Sequence, residues 1–125
     1  MEKRYLTIND ISSYKVAINL SHYIWDIVIK WDYFAKDTVG KQYIRAVDSI
    51  AANIAEGFGR YFKKEKIQFY RYSYGSIAES LDWTNKAYRR HLLSEEQYKH
   101  ITNELEKLPQ ELHNLIKFTD EKLKK

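Results

Sequence analysis

Apolar residues recur at helical spacing in four separate stretches of the chain, and each stretch predicts one amphipathic helix. The first stripe consists of Val16, Leu20, Tyr23, Ile24, Ile27 and Trp31. Ser12 or Ser13 would begin this helix, because serine is a favoured N-cap residue. Residues 1–11 then form an N-terminal extension in front of the helix.

The second stretch carries a single apolar stripe with steps of three and four residues. Its members are Val39, Tyr43, Val47, Ile50 and Ile54. Residues 32–37 would connect the first two helices, with Asp37 or Thr38 as the N-cap. Gly57 and Gly59 supply the backbone freedom that a helix end uses, so the helix should stop there.

The third stretch predicts a long helix from about Phe62 to about Arg90 with two apolar or small faces. One face holds Tyr70, Tyr74, Ile77, Leu81 and Tyr88; the other holds Phe69, Ser73, Ser76, Ser80, Trp83 and Ala87. A helix with two such faces is contacted from two sides. We expect one side to meet the bundle core and the other to be available to a neighbouring subunit.

The last stretch begins with a capping box at Ser94 and Gln97. A coiled-coil-like seam follows: Tyr98, Ile101, Leu105, Leu108, Leu112 and Leu115. Pro109 should kink this helix and face away from the core. With only one proline and four glycines, the 125 residues predict a single all-α domain, an antiparallel up-down-up-down four-helix bundle.

Charge is distributed unevenly along the chain. Residues 57–93 carry eight Lys or Arg against three Asp or Glu, whereas the flanking segments are close to balanced. A local basic surface attracts polyanions. The alternative interpretation is an ordinary solvated helix face.

Composition excludes several classes of function. Cysteine is absent, which rules out disulfides and thiolate chemistry. No Glu-x-x-His pair, phosphate-binding glycine loop or nucleophile motif occurs, so we expect no metal, no cofactor and no enzyme activity. The four histidines are scattered. Neither a signal-peptide pattern nor an apolar run of membrane-spanning length is present, and a cytoplasmic protein is expected.

A polar set lies on one face of the second helix, at steps of three and four residues. It consists of Arg45, Ser49, Asn53, Glu56 and Arg60, and Ser76 and Glu79 of the third helix are placed to meet it. One interpretation is a polar ligand pocket. The favoured one is a buried hydrogen-bond network that fixes the helix register, with Glu56 and Arg60 as an ion pair.

Basic and aromatic residues alternate from position 60 to position 74. Cations that hold phosphates, with aromatic rings that stack on bases, are typical of nucleic-acid binding. The predicted phosphate contacts are Arg60, Lys63, Lys64, Arg71, Lys86, Arg89 and Arg90. The alternative is that the aromatic rings are buried and only the cations are exposed. For Lys86, Arg89 and Arg90 it is that they complement the dipole of a helix C-terminus.

Eleven tyrosines, five phenylalanines and three tryptophans are many for this length. A small bundle cannot bury all of these rings in one subunit, and large aromatic residues dominate interface energetics. We therefore expect a homo-oligomer. The first functional hypothesis is a non-enzymatic oligomeric scaffold that binds RNA or DNA without reading its sequence. The second is a structural module that docks an acidic protein partner.

Several short motifs resemble those of a known family. They are Gly40-Lys41-Gln42, Arg45-Ala46, Asp48-Ser49-Ile50, Asn53-Ile54-Ala55-Glu56-Gly57, Gly59-Arg60 and, in the third helix, Gly75-Ser76 with Glu79. With them the chain resembles the four-helix-bundle proteins encoded by 23S rRNA intervening sequences. That family includes the Avd-type accessory proteins of diversity-generating retroelements. The resemblance extends from about Tyr14 to about Ile116.

The resemblance implies a ring-like homopentamer. For a chain like the accessory members, it also implies nucleic-acid binding and partnership with a reverse transcriptase. Two positions depart from the family pattern. Tyr74 stands where a basic residue is frequent, and Ile44 where some members carry a second basic residue beside the one matched by Arg45. Both departures remove positive charge and weaken the nucleic-acid interpretation.

Overall fold

The computed structural model describes residues 6–124 and consists of four long helices in one bundle. We number them α1 (Ser12–Val28), α2 (Lys41–Gly59), α3 (Lys63–Arg89) and α4 (Glu95–Lys122). No β-strand occurs in residues 6–124. The all-α fold predicted from the apolar spacing is confirmed, and α3 begins and ends within one residue of its predicted bounds.

Contacts between α2 and α3 show that these helices run in opposite directions. Near the start of α2, the Tyr43 hydroxyl lies 2.7 Å from the hydroxyl of Thr84, which is near the end of α3. Further along α2, the Ile50 carbonyl accepts a hydrogen bond of 3.0 Å from Ser73, which comes earlier in α3. The order of contacts is therefore reversed.

Helices α3 and α4 are also antiparallel. Tyr98 in the first turn of α4 donates to Asn85 near the end of α3 at 2.8 Å, while Lys63 at the start of α3 pairs with Asp120 near the end of α4. Helix α1 packs against both α2 and α4. Residues 60–62 and 90–94 are the short connections that join α2, α3 and α4, and the up-down-up-down path of the whole bundle stays a prediction.

The core is built from the predicted stripes of α1, α2 and α4. Its fully buried members include Leu20, Ile24, Val47, Ile50, Ile54, Ile101, Leu105, Leu108 and Leu112. Helix α3 contributes small residues with hydroxyl groups instead, among them Ser73, Ser80 and Thr84. Their hydroxyls donate to helix carbonyls, so these polar groups are satisfied inside the core.

Both faces of α3 are used within the same bundle. Ser73 on one face bonds to α2, while the Tyr74 hydroxyl on the other donates to the Pro109 carbonyl of α4 at 3.4 Å. The expectation that one of the two faces is left for a neighbouring subunit is therefore wrong. Two helices pack on α3 from two sides, which is what a four-helix bundle requires of each member.

The connection between α1 and α2 differs from its prediction. Helix α1 ends at Val28, and Trp31 lies beyond it, donating from Nε1 to the Leu92 carbonyl at 3.0 Å. Asp32, rather than Asp37 or Thr38, is the N-cap, and its Oδ1 accepts from the backbone N–H of Ala35. A helical turn (Tyr33–Ala35) and a π-helical turn (Lys36–Gly40) lead directly into α2.

The start of α4 and the outward position of Pro109 are as the sequence indicated. The capping box of Ser94 and Gln97 is present, and Pro109 is exposed within an unbroken α4. The predicted kink stays a prediction.

Of the N-terminal extension, Ile8–Asp10 forms a 3₁₀ turn, and residues 1–5 lie outside the described part of the chain. Among residues 6–124, no helix is both long and apolar enough to cross a bilayer.

Candidate nucleic-acid interface

Helical geometry places three of the predicted cations in one line on the outside of α3. Arg71 follows Lys64 by seven residues and Arg89 follows Arg71 by eighteen, which are close to two and five full turns. All three side chains are exposed. The line is about 37 Å long at 1.5 Å per residue, roughly one turn of duplex DNA. We call it the α3 stripe.

The cations of the stripe are available to a ligand. Lys64, Arg71 and Arg89 have no ion pair within residues 6–124. Lys86, beside the stripe, is held by Asp82 at 2.6 Å and lies 4.5 Å from the centre of the Trp83 ring. Lys64 and Arg71 lie in the first third of α3 and Arg89 is its last residue, so the unpaired positive charge lies toward the two ends of the helix.

Arg60 and Lys63 are held by acidic residues of neighbouring helix ends, although Lys63 lines a surface groove together with Lys64 and Arg71. Arg60 lies between Glu56 at 3.5 Å and Glu65 at 3.8 Å, with its guanidinium 4.7 Å from the centre of the Phe69 ring. Lys63 donates to the backbone carbonyl of Asp120 at 3.1 Å and pairs with its carboxylate. These two cations join the ends of helices together, which distinguishes them from the cations of the stripe.

Arg90 also leaves the stripe, because it lies just beyond the last residue of α3. It lines a groove beside the α1–α2 connection, together with Asp32 and Asp37. The seven predicted phosphate contacts thus form three groups. Three cations without ion pairs in residues 6–124 lie on one line, Lys86 is paired beside them, and the other three lie outside the line: Arg60, Lys63 and Arg90.

The aromatic residues of this segment divide between core and surface. Tyr70 is buried and Tyr74 packs on the core, whereas Tyr61, Phe62 and Tyr72 are exposed. The rings of Tyr61 and Phe62 meet edge to face at 5.0 Å, and the Tyr72 hydroxyl accepts from Gln68, a neighbour of the stripe, at 2.7 Å. Exposed rings beside Lys64 and Arg71 are the arrangement on which unpaired bases can stack.

The predicted buried polar network is not what the structure shows. Of the predicted set, only Asn53 and Ser76 are hydrogen-bonded across α2 and α3, at 3.4 Å, while the Ser49 hydroxyl donates to the Arg45 carbonyl of its own helix. The side chains of Arg45, Glu56 and Glu79 are exposed. Steps of three and four residues kept the set on one face, but that face lies beside the buried stripe of α2. The Glu56–Arg60 ion pair is present at the surface.

One cation has a role that the sequence pattern did not separate from the others. Lys66 is half-buried, and its Nζ donates to the Phe58 carbonyl at 2.7 Å. Burial lowers the pKa of this amine. The only available signal was the helical register, which places Lys66 on the α2 side of α3. Within residues 6–124, no group of three His, Asp or Glu side chains is close enough to hold a metal ion.

The fold and the surface together define a small helical-bundle protein with one basic helix face. Residues 9–114 match the family described as 23S rRNA-intervening sequence protein, and the chain belongs to that family. The resemblance carried by the motifs of α2 and α3 is thereby confirmed.

A solved structure shares the fold. It is a protein of unknown function from the S23 ribosomal protein family of Bacteroides thetaiotaomicron, with a TM-score of 0.73 and 21% sequence identity. The similarity covers 84% of this chain and 98% of that one. No curated protein matches the chain.

Proposed function

We propose that this protein is a non-enzymatic, self-associating scaffold that binds RNA or DNA along the α3 stripe without reading sequence. The observation that supports this function is the line of Lys64, Arg71 and Arg89, three exposed cations without ion-pair partners in residues 6–124. Phosphate contacts of this kind position a nucleic acid and carry no base specificity. An accessory role beside a reverse transcriptase in the cytoplasm, and a pentameric ring, belong to the same proposal.

The proposal is tested by reversing two charges of the stripe. We expect Lys64→Glu combined with Arg71→Glu to weaken retention of a mixed-sequence RNA by tenfold or more. Each lost phosphate contact should also reduce the salt slope of binding by about one. The measurement is filter binding of labelled RNA between about 50 and 200 mM salt.

The matched control reverses two exposed lysines on other helices, Lys15→Glu with Lys117→Glu. This variant has the same net charge as the test variant, so equal losses in both would reduce the effect to total charge and reject the stripe. Binding of the parent protein that does not change with salt, or no binding at low salt, would reject nucleic-acid function altogether.

A protein-docking module is the second candidate. The supporting observation lies in the connection between α1 and α2, where Tyr33 is 77% and Phe34 is 76% exposed. Large exposed aromatic rings are typical anchors of protein interfaces. If RNA is not retained at low salt, the α3 stripe is ordinary solvated surface. In that case Phe34→Ser should abolish binding of the protein partner.

A further inference from the structure

A cavity of about 540 Å³ opens at one end of the bundle, where α2 ends, α3 begins and α4 ends. Residues 6–11, which precede α1, close one side of it. Its wall is mainly apolar and includes Leu6, Ile11, Phe58, Leu115, Phe118 and Leu123. The volume lies within the range of roughly 300–1,000 Å³ that is usual for small-molecule sites.

Three apolar side chains of this wall are exposed to water: Leu6, Phe118 and Leu123. Leu6 precedes α1, whereas Phe118 and Leu123 lie at the end of α4, so these side chains line one cavity only because the fold brings the two chain ends together. An apolar ligand in the cavity would remove these side chains from water, which is the main source of affinity in such sites.

Two polar groups of the wall are not fully used. The ammonium of Lys66 lies 5.5 Å from the centre of the Phe58 ring and donates to the Phe58 carbonyl, which leaves two of its three N–H groups. Ser13 is 1% exposed, and its hydroxyl has no hydrogen-bond partner within residues 6–124. A buried hydroxyl without a partner is uncommon and costs stability, so it marks a place for a polar ligand atom.

Two carboxylates also line the cavity. Asp10 accepts hydrogen bonds from the backbone and the hydroxyl of Thr7, whereas Glu111 lies on α4. The charges of both carboxylates oppose an anionic ligand and favour a cationic one, which gives the choice of ligand class a direct test.

We propose that this cavity binds an amphipathic monocarboxylate, with the carboxylate at Lys66 and the alkyl chain along the apolar wall. The Ser13 hydroxyl is the second polar contact. A carboxylate fits the amine because an ion pair in apolar surroundings, with charge-assisted hydrogen bonds, is stronger than a neutral contact. The site is separate from the α3 stripe, and nucleic-acid binding is not required for it.

Calorimetric titration of the full chain with decanoate, below its micelle concentration, tests the ligand class. We expect one decanoate per chain, with decanol and decyltrimethylammonium at least tenfold weaker. Decanol that binds as tightly as decanoate would overturn the carboxylate assignment. Tighter binding of decyltrimethylammonium would assign the cavity to cations, and many weak sites per chain would reduce the effect to detergent-like adsorption.

Variants test the residues. Lys66→Met keeps an unbranched apolar side chain and should weaken decanoate by about tenfold, the share of a charge-assisted contact. Lys117→Met, an exposed lysine of α4, should leave it unchanged. Glu111→Gln should tighten decanoate several-fold, and this variant decides the matter if Lys66→Met does not fold. Unchanged affinity in both cavity variants would overturn the proposal.

Discussion

Gly57 in the last turn of α2 lets α3 approach closely. A Cβ added there would lie 2.6 Å from Cε1 of Tyr70 and 2.9 Å from the Lys66 carbonyl oxygen. The aromatic ring is buried and the other atom belongs to the backbone, so neither moves away cheaply. We expect Gly57→Ala to lower the free energy of unfolding by about 2 kcal/mol, measured by urea denaturation.

Gly75 in the middle of α3 is the matched control for this substitution. A Cβ added there meets nothing within 4 Å, and the backbone is helical. Gly75→Ala should raise the free energy of unfolding by roughly 0.5–1 kcal/mol, because alanine loses less backbone entropy in a helix. If Gly57→Ala is as stable as the parent, the prediction is wrong, and the Tyr70 ring can move away from the added methyl group.

Tyr70 should make the protein sensitive to alkaline pH. Burial raises the pKa of Tyr70 to about 12, partly offset by a hydrogen bond with Thr119. In the unfolded state the Tyr70 hydroxyl ionises near pH 10. The contribution of Tyr70 to the free energy of unfolding is therefore complete below about pH 10 and is lost as the pH rises to about 12. The free energy of unfolding of the parent should therefore fall between pH 10 and 12. In Tyr70→Phe this fall should be shallower by on the order of 1.4 kcal/mol per pH unit.

Urea midpoints collected from pH 8 to 12 check this slope. Tyr72→Phe, with an exposed ring on the same helix, serves as the control and should follow the parent. A Tyr70→Phe curve parallel to the parent above pH 10 would assign the alkaline loss to other groups. Tyr43 is the next candidate, because burial raises its pKa as well.

Sequence reasoning located residues on faces but did not always tell which face was buried. Arg45 and Asn53 share one face of α2, yet only Asn53 reaches α3. The period of a helix gives the relative angle of two side chains, whereas burial depends on the neighbours that the fold supplies. Lys64 and Lys66, only two positions apart, therefore lie in solvent and beside an apolar cavity, respectively.

At the scale of elements, helix α3 ends in a Schellman motif without glycine. His91 has a φ of 62°, its N–H donates to the Tyr88 carbonyl, and the Leu92 N–H donates to the Ala87 carbonyl at 2.9 Å. A left-handed conformation is costly for a residue with a Cβ. We expect His91→Gly to raise the free energy of unfolding by about 1 kcal/mol in thermal or urea denaturation.

His91→Ala separates the backbone effect from the loss of the imidazole. Alanine also has a Cβ, so it should bring none of the gain. Stabilisation by alanine equal to that by glycine would mean that the ring itself, rather than the left-handed backbone, disfavours the native state.

The elements were predictable where local signals agree with packing. The Ser94–Gln97 box and the apolar seam of α4 specify the same helix, and both are present. The start of α2 was missed because Asp32, Asp37 and Thr38 are all acceptable caps in sequence. Tertiary packing decides among them: Ala35 and Val39 are buried, which extends the helical path back to Asp32.

At the scale of the whole molecule, the four helices bury only part of the aromatic content. Tyr43 and Tyr70 are inside, while Trp25, Tyr33, Phe34 and Tyr61 are all more than half exposed. Aromatic surface of this extent marks interaction sites more often than free surface. The expectation of self-association therefore stays a prediction that follows from the exposed rings, and the α1–α2 groove is the place to test it.

The α1–α2 groove has a volume of about 520 Å³, with Trp25 on one side and Ala52 and Ala55 on the other. Trp25 is 52% exposed, and Ile29, just beyond the end of α1, is exposed as well. A large ring facing small residues suits helix packing between two copies of the chain. We expect light scattering to give a multiple of the 15.0 kDa chain mass at micromolar concentration.

Trp25→Glu should reduce that mass to 15.0 kDa, because a carboxylate in the contact is desolvated without a partner. Asn103→Glu adds the same charge to an exposed position of α4 and should leave the mass unchanged. An oligomer that survives Trp25→Glu but dissociates with Phe34→Ser would move the interface to the α1–α2 connection. If the parent protein has a mass of 15.0 kDa, it does not self-associate, and RNA would bind to single copies. Three stripe cations per copy then predict weak RNA binding, with a salt slope no steeper than about three.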